Sequence, residues 1–237
     1  LRNLERVRTD FVANASHELK TPITAIRGLS ETVVGDPDVE RETLIHFMER
    51  IHAQSIRLSQ LVGDLMTISR LESEQDAADF TLINFGELVN RAITAAQVAL
   101  EAKGHQLSVK LPEHKLEVFG DRQNLSQLVD NLVDNAIKYT PEKGLIKVRI
   151  SHQGSEAVLE VEDSGIGISP QYQHRVFERF YRVDKVRSQS LGGTGLGLSI
   201  VKNIAERHGG SVNVISQLGR GSTFTFRMPA VHQDGIS

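Results

Sequence analysis

Over residues 1 to about 75 the apolar positions recur at helical spacing. Leu4, Phe11, Ala15, Leu19, Ile26 and Val33 share one stripe with charged residues between them, predicting a first long helix. Gly35-Asp36-Pro37-Asp38 stops it, since this run combines a flexible residue, a cap and a proline at the start of the next helix. In the second helix Leu44, Ile51, Leu58 and Leu65 sit one heptad apart, with Met48, Val62 and Ile68 in a neighbouring row. Sustained seven-residue repetition favours long helices wrapped around each other, and one hairpin cannot cover such a stripe. Two hairpins from two chains can, so the segment predicts a homodimer built on a four-helix bundle.

After the polar run Glu72-Ser73-Glu74-Gln75-Asp76, read as a linker, the period changes. Phe80 to Phe85 predicts a strand, Gly86 to about Lys103 a helix, 106–111 and 115–119 strands, and Arg122 to Lys138 a helix. Ile146 to His152 and Ala157 to Glu162 alternate as adjacent strands. Gly165 to about Gly193 reads as loop with one short helix, and Leu196 to Arg207 as a helix stopped by Gly209-Gly210. Ser211 to Ser216 and Ser222 to Met228 predict a closing hairpin, with frayed residues from about Val231. Strands and helices mixed without regular βαβ alternation suggest an α/β sandwich, one mixed sheet with helices on one face. The division expected is 1–75 and 80–232.

Composition narrows the function. The 237 residues are 39% hydrophobic and 24% charged, too apolar for disorder throughout. Lys and Arg number 27 against 30 Asp and Glu, so the net charge of −3 supplies no field for nucleic acid. With no cysteine, disulfides and thiolate metal sites are excluded. No apolar run approaches the roughly 20 residues that cross a bilayer. The chain opens on Leu1 within a helical pattern, so it is expected to be excised from something longer.

His17 lies two residues from both Ala15 and Leu19, roughly 200° around the helix from that stripe, and should face solvent. A neutral imidazole offers a lone pair near pH 7, which suits nucleophilic phosphoryl chemistry. Glu18 is placed to accept the N–H of the other ring nitrogen, and Thr21, one turn on, to orient a water for the reverse, hydrolytic reaction. Pro22 removes a backbone hydrogen bond and should bend the helix below His17. An inert surface histidine remains the alternative, for the chain has nine.

Asn131, Asn135 and Lys138 fall at i, i+4 and i+7 on one helical face, opposite Leu125, Leu128, Leu132 and Ala136. Two asparagines on one face cost helix stability, and their carboxamide oxygens suit Mg²⁺ shared with phosphates. Lys138 would then meet phosphate and Tyr139 pack on a base. A wet helix face explains the same run without a ligand. Asp163-Ser164-Gly165-Ile166-Gly167-Ile168 ends a strand with a carboxylate that can accept from an exocyclic amine, beside glycines that let backbone approach a ligand; an ordinary turn is the alternative. Gly192-Gly193-Thr194-Gly195-Leu196-Gly197-Leu198 opens a helix, where backbone N–H groups and the helix dipole favour phosphate. Neither the dinucleotide fingerprint nor a Walker loop fits this spacing. Between these loops Phe177-Glu178-Arg179-Phe180-Tyr181-Arg182 and the polar stretch to Gly192 read as a mobile lid, Phe177 and Tyr181 anchoring the base and Arg182 reaching the terminal phosphate. A surface helix is the plainer reading. Thr223, after Gly219-Arg220-Gly221, is expected to close the far side of the pocket.

The run Ser16-His17-Glu18-Leu19-Lys20-Thr21-Pro22 resembles the phosphoacceptor box of sensor histidine kinases. The four later patterns, in order, resemble the N, G1, F and G2 boxes of that family's ATP-binding domain, with the final hairpin as a G3-like element. Together they cover almost all of residues 1–230, and Glu5 to Asn14 with the Leu-rich second helix look most like the phosphate-regulon sensor kinases of the PhoR type. The resemblance implies a dimeric helical bundle followed by a Bergerat-type α/β sandwich. It implies ATP and Mg²⁺ as cofactors, Asn135 as the principal metal ligand with Asn131 nearby, and Asp163 on the adenine amino group. Gly165, Gly167, Gly193, Gly195 and Gly197, with Ile166, Ile168, Thr194, Leu196 and Leu198, would frame the nucleotide. His17 would take the γ-phosphoryl group with Glu18 as base and pass it to an aspartate of a response regulator. Thr21 matches members that also dephosphorylate the regulator. The linker near 72–79 is expected to be a hinge, and the location that of a cytoplasmic portion of a bacterial inner-membrane protein, held only by segments this chain lacks. An ATP-driven clamp of the same superfamily would not need His17 and its box on a dimerising hairpin, and a silent regulator-binding scaffold would be expected to lack His17, Asn135 or Asp163.

Overall fold

The computed structural model describes residues 2–36, 38–72, 80–184 and 193–231, and no side chains at 2–8 and 10. Two long antiparallel helices come first, α1 (Arg2–Gly35) and α2 (Arg41–Glu72), packed along each other as a stalk. The helix α1 runs on through Pro22. Ala15 is buried in the seam, with Phe11, Leu19, Leu44, Ile51, Leu58 and Leu65 half-buried beside it. Most of the predicted linker and half of the predicted lid, 73–79 and 185–192, lie outside the described residues, as do Pro37 and the final residues 232–237.

The rest is an α/β sandwich. Strands β2 (Gln106–Lys110), β4 (Leu145–Gln153), β5 (Glu156–Asp163), β7 (Gly221–Pro229) and β6 (Ser211–Gln217) form one mixed sheet in that order, with only β2 and β4 parallel. Where the sequence suggested a single sheet, β1 (Phe80–Asn84) pairs instead with β3 (Glu117–Asp121) as a separate antiparallel ribbon, tied to the end of β7 by a bridge between Val118 and Ala230. This pairing lets the helix α3 (Phe85–Ala102) start directly after β1. Asn84 caps it by accepting from the Glu87 N–H, and so Phe85 enters the helix rather than the strand.

Alternation sets the faces of the main sheet. Ile146, Val148, Ile150, Leu159, Val161, Phe224, Phe226 and Met228 are buried beneath α3, α4 (Arg122–Tyr139) and α6 (Gly197–Arg207). On the other face Lys147 bonds Glu162 at 2.8 Å, and Arg149 pairs with Glu160 and Glu162. The short helix α5 (Pro170–Gln173) lies between β5 and α6. Asp121 caps α4 through the N–H groups of Gln123 and Asn124. Its own N–H donates to Nε2 of the buried His208, which lies stacked on Phe80 at 4.8 Å.

Leu61, Asp64, Thr67 and Ile68 of α2 are all buried, at i, i+3, i+6 and i+7 along one helix face. Through this face the lower stalk packs on α6 and joins the hydrophobic core of the sandwich. Gln127 of α4 donates to Thr67 Oγ1 at 3.2 Å across the junction.

Candidate active site

A cavity of about 510 Å³ opens between α4, the end of β5, the start of α6 and the β6–β7 hairpin. Asn131, Asn135, Lys138 and Tyr139 of α4 line it, as the i, i+4, i+7 reading of that face requires. Neither asparagine amide makes a hydrogen bond among the described residues, so both remain available to a ligand. Burial pushes the Lys138 ammonium below its ordinary pKa, opposed by Asp134 and Asp64.

Asp163 also lines the cavity and is 7% exposed. Burial lifts its pKa to about 6, against the pull of the Gly165 and Ser222 backbone N–H groups. The Gly165 N–H donates to Oδ1 at 2.8 Å. This carboxylate is therefore fixed, dry and an acceptor, the chemistry an amino group on a purine would seek. Ile166, Gly167 and Ile168 continue the wall. Gly167 takes φ +68°, and a Cβ there would come within 2.0 Å of the Gln217 carbonyl oxygen. The loop is stapled to the hairpin through Gly219 N–H to Ile166 O at 2.7 Å and Ile168 N–H to Ser216 Oγ at 2.7 Å.

Gly193, Thr194, Gly195, Gly197 and Leu198 form the third wall. A Cβ at Gly197 would lie 2.9 Å from Asn131 Oδ1, so the glycine leaves that amide its present position. Tyr181 and Arg182 also line the cavity. Arg175 lies 4.3 Å over the Tyr181 ring.

Other expected residues fall elsewhere. Phe177 does not reach the cavity wall and packs edge-on against Phe224 at 6.4 Å. Leu196 is wholly buried in the core, and Gly165 lies behind the wall, where a Cβ would strike the Tyr139 carbonyl at 2.5 Å. Thr223 is not on the wall either. Strand alternation turns it to the face opposite Ser222 and Phe224, and those two line the cavity.

His17 is exposed on α1, and its ring makes no hydrogen bond among the described residues. Glu18, expected to accept its N–H, is turned instead to two guanidinium groups. Arg57 Nη2 donates to Glu18 Oε2 at 3.3 Å and Arg182 Nη2 to the same oxygen at 2.8 Å. Arg182, expected on a terminal phosphate, also donates to the Thr194 carbonyl at 2.7 Å, while its buried Nε has no partner among the described residues. The Thr21 hydroxyl donates to the His17 carbonyl at 3.1 Å, the usual back-bond of a helical threonine. Around this contact Phe11 meets Phe180 at 5.7 Å, and Arg179 lies over Phe11 and pairs with Glu72.

Among the residues the sequence reading missed are Gln60 and Asp64 of the stalk, Asp134, Ser222 and Phe224 on the cavity wall, and Arg57 at Glu18. Ser222 was recoverable from strand alternation. For the stalk residues no local signal exists, beyond polar side chains on an otherwise apolar α2 face.

Residues 7–74 match the family described as His Kinase A (phospho-acceptor) domain, and residues 120–232 the family described as Histidine kinase-, DNA gyrase B-, and HSP90-like ATPase. The sensor-like histidine kinase SenX3 of Mycobacterium tuberculosis is 40% identical over 228 residues, 96% of this chain and 55% of that protein. The phosphate regulon sensor protein PhoR of Pseudomonas aeruginosa is 37% identical over 222 residues, 94% of this chain and 50% of that protein. The chain thus spans about half the length of these curated relatives. Histidine kinase ThkA, solved in complex with response regulator protein TrrA, superposes with a TM-score of 0.80 at 25% identity, over 99% of this chain and 65% of that one.

Proposed function

The chain belongs to the sensor histidine kinases, and on that premise we propose that it is a two-component kinase core that phosphorylates His17 from ATP. A ring nitrogen of His17 attacks the γ-phosphorus in line. The N–P bond forms as the bond to the β–γ bridging oxygen breaks, ADP leaves, and the proton on the other ring nitrogen passes to Glu18. Most of the acceleration is positioning and charge neutralisation.

The observation that carries the reading is the make-up of the cavity. It gathers a dry carboxylate, Asp163, with Lys138, a glycine loop and two asparagine amides that make no hydrogen bond among the described residues. In the proposed roles Asp163 accepts from the adenine amino group and Lys138 meets phosphate charge. Arg182, whose buried Nε lacks a partner among the described residues, turns to the terminal phosphate once it leaves Glu18. The amide oxygens of Asn135 and Asn131 suit Mg²⁺, with Asn135 as the principal ligand; bound there, the ion neutralises phosphate charge. Because Glu18 is bonded to Arg57 and Arg182, the arrangement described is a resting one, and the stalk must shift on the sandwich before His17 can react.

Homodimerisation through the stalk, transfer to a response-regulator aspartate, and removal of that phosphoryl group with Thr21 orienting the water belong to the same proposal. So do the domain limits 1–75 and 80–232. Among the described residues no helix is long and apolar enough to cross a membrane. A place at the cytoplasmic face of a bacterial inner membrane rests on the family alone.

Incubation with γ-labelled ATP and Mg²⁺ tests the reading. The expected product is acid-labile, alkali-stable label on the wild type and none on His17→Ala. Label that persists in the variant moves the acceptor and refutes the assignment. With a phosphorylated regulator as substrate, Thr21→Ala is expected to slow dephosphorylation roughly a hundred-fold, the lower end of what a positioned proton-transfer group contributes; an unimpaired variant removes that role.

A further inference from the structure

The cavity is not walled by the sandwich alone, because α2 of the stalk contributes Gln60 and Asp64. Asp64 is 8% exposed, on the face by which α2 seats against the sandwich. Its Oδ2 accepts the Thr194 hydroxyl at 2.7 Å, and Thr194 Oγ1 in turn accepts the Leu196 N–H at 3.2 Å. The loop that opens α6, with its backbone donors, is therefore already pinned by a carboxylate 130 residues earlier in the chain. On the same loop Arg182 holds the Thr194 carbonyl.

A buried carboxylate is tolerated only where partners offset its lost hydration. Burial raises the Asp64 pKa, whereas the Thr194 hydrogen bond and the Lys138 charge lower it. Those two partners are the groups a nucleotide phosphate entering this end would also claim. The phosphate would take the donors that make the Asp64 charge tolerable, and its own negative charge would face that carboxylate in a site of low dielectric.

We propose that Asp64 is a stalk-borne residue of the nucleotide site, one that weakens the binding of phosphate-bearing nucleotides while the stalk is docked. This inference rests on the nucleotide reading above. Because Asp64 belongs to the stalk, the conflict is relieved when the lower stalk withdraws, and by linkage phosphate binding and stalk docking oppose each other. The number of phosphates sets the penalty. Adenosine, which carries none, is indifferent to Asp64.

Calorimetric titration of this chain with adenosine, ADP with Mg²⁺, and a non-hydrolysable ATP analogue with Mg²⁺ tests the inference on wild type and Asp64→Asn. The asparagine keeps an acceptor for Thr194 and removes the charge. The variant is expected to bind the triphosphate roughly ten-fold tighter, ADP less so, and adenosine unchanged. Triphosphate affinity that is unchanged, or weakened alone, overturns the inference, the second outcome making Asp64 a helper of phosphate or Mg²⁺. Weakening of all three ligands alike, adenosine included, overturns it in favour of a purely structural role. The ratio of triphosphate to adenosine affinity does not depend on the folded fraction, so a poorly folding variant still reports. A wild type that binds none of the three refutes the nucleotide site itself, and the inference falls with it.

Discussion

Asp163 carries a cost that a ligand-free fold would not select. Its backbone donors favour the charged form, yet burial outweighs them and the pKa stands at about 6. The folded chain thus holds this proton more tightly than the unfolded chain, so this residue's contribution to stability falls as pH climbs from about 4 to about 6. Asp163→Asn is expected to gain about 1–3 kcal/mol at pH 7.5, read by denaturant unfolding, while losing adenine binding. Wild-type affinity for adenosine should fall as pH drops through about 6, since the protonated carboxyl is a poorer acceptor. Flat adenosine affinity between pH 7.5 and 5 would remove Asp163 from that role. Glu18 shows a different tension. Arg57 and Arg182 both hold its Oε2, and the His17 ring it was expected to orient is left without a hydrogen bond among the described residues.

At the scale of elements, two close approaches hold the cavity loops. Gly167 sits at φ +68° against the Gln217 carbonyl, which joins the loop after β5 to the β6–β7 hairpin. Gly195, at φ +76°, would place a Cβ 3.0 Å from the Phe180 backbone, and the Phe180 N–H donates to the Gly195 carbonyl at 2.8 Å. Phe180 itself has φ +61°, a sparsely populated state for an aromatic residue, retained where it packs on Phe11 of the stalk. Gly167→Ala is expected to cost about 2–4 kcal/mol, because the backbone is left-handed and the space is filled. Urea unfolding checks this, and a loss below about 0.5 kcal/mol would show that the loop yields freely.

Across the whole molecule, the stalk hairpin leaves apolar side chains open. Val12, Ile23, Ile45, Met48, Ile56, Val62 and Met66 are each more than 40% exposed, a run of apolar surface that one hairpin cannot cover. Sedimentation should give twice the mass of one chain. Ile45→Glu is expected to shift that toward one chain without unfolding the sandwich, and a wild-type monomer at micromolar concentration would refute the dimer. Much was legible beforehand. The order and type of the elements follow from local periodicity, caps and glycines, and the α4 face bearing Asn131, Asn135 and Lys138 follows from helix geometry alone. Local pattern also placed His17 on the solvent side of α1. Only the tertiary structure separated β1 and β3 from the main sheet, since strand pairing depends on which partner lies adjacent in space. It alone brought Asp64 to Thr194 and Glu18 to Arg182, across 130 and 164 residues. Periodicity governs what neighbours in sequence do together; the seating of one packed body on another is settled by surfaces that exist only after both have formed.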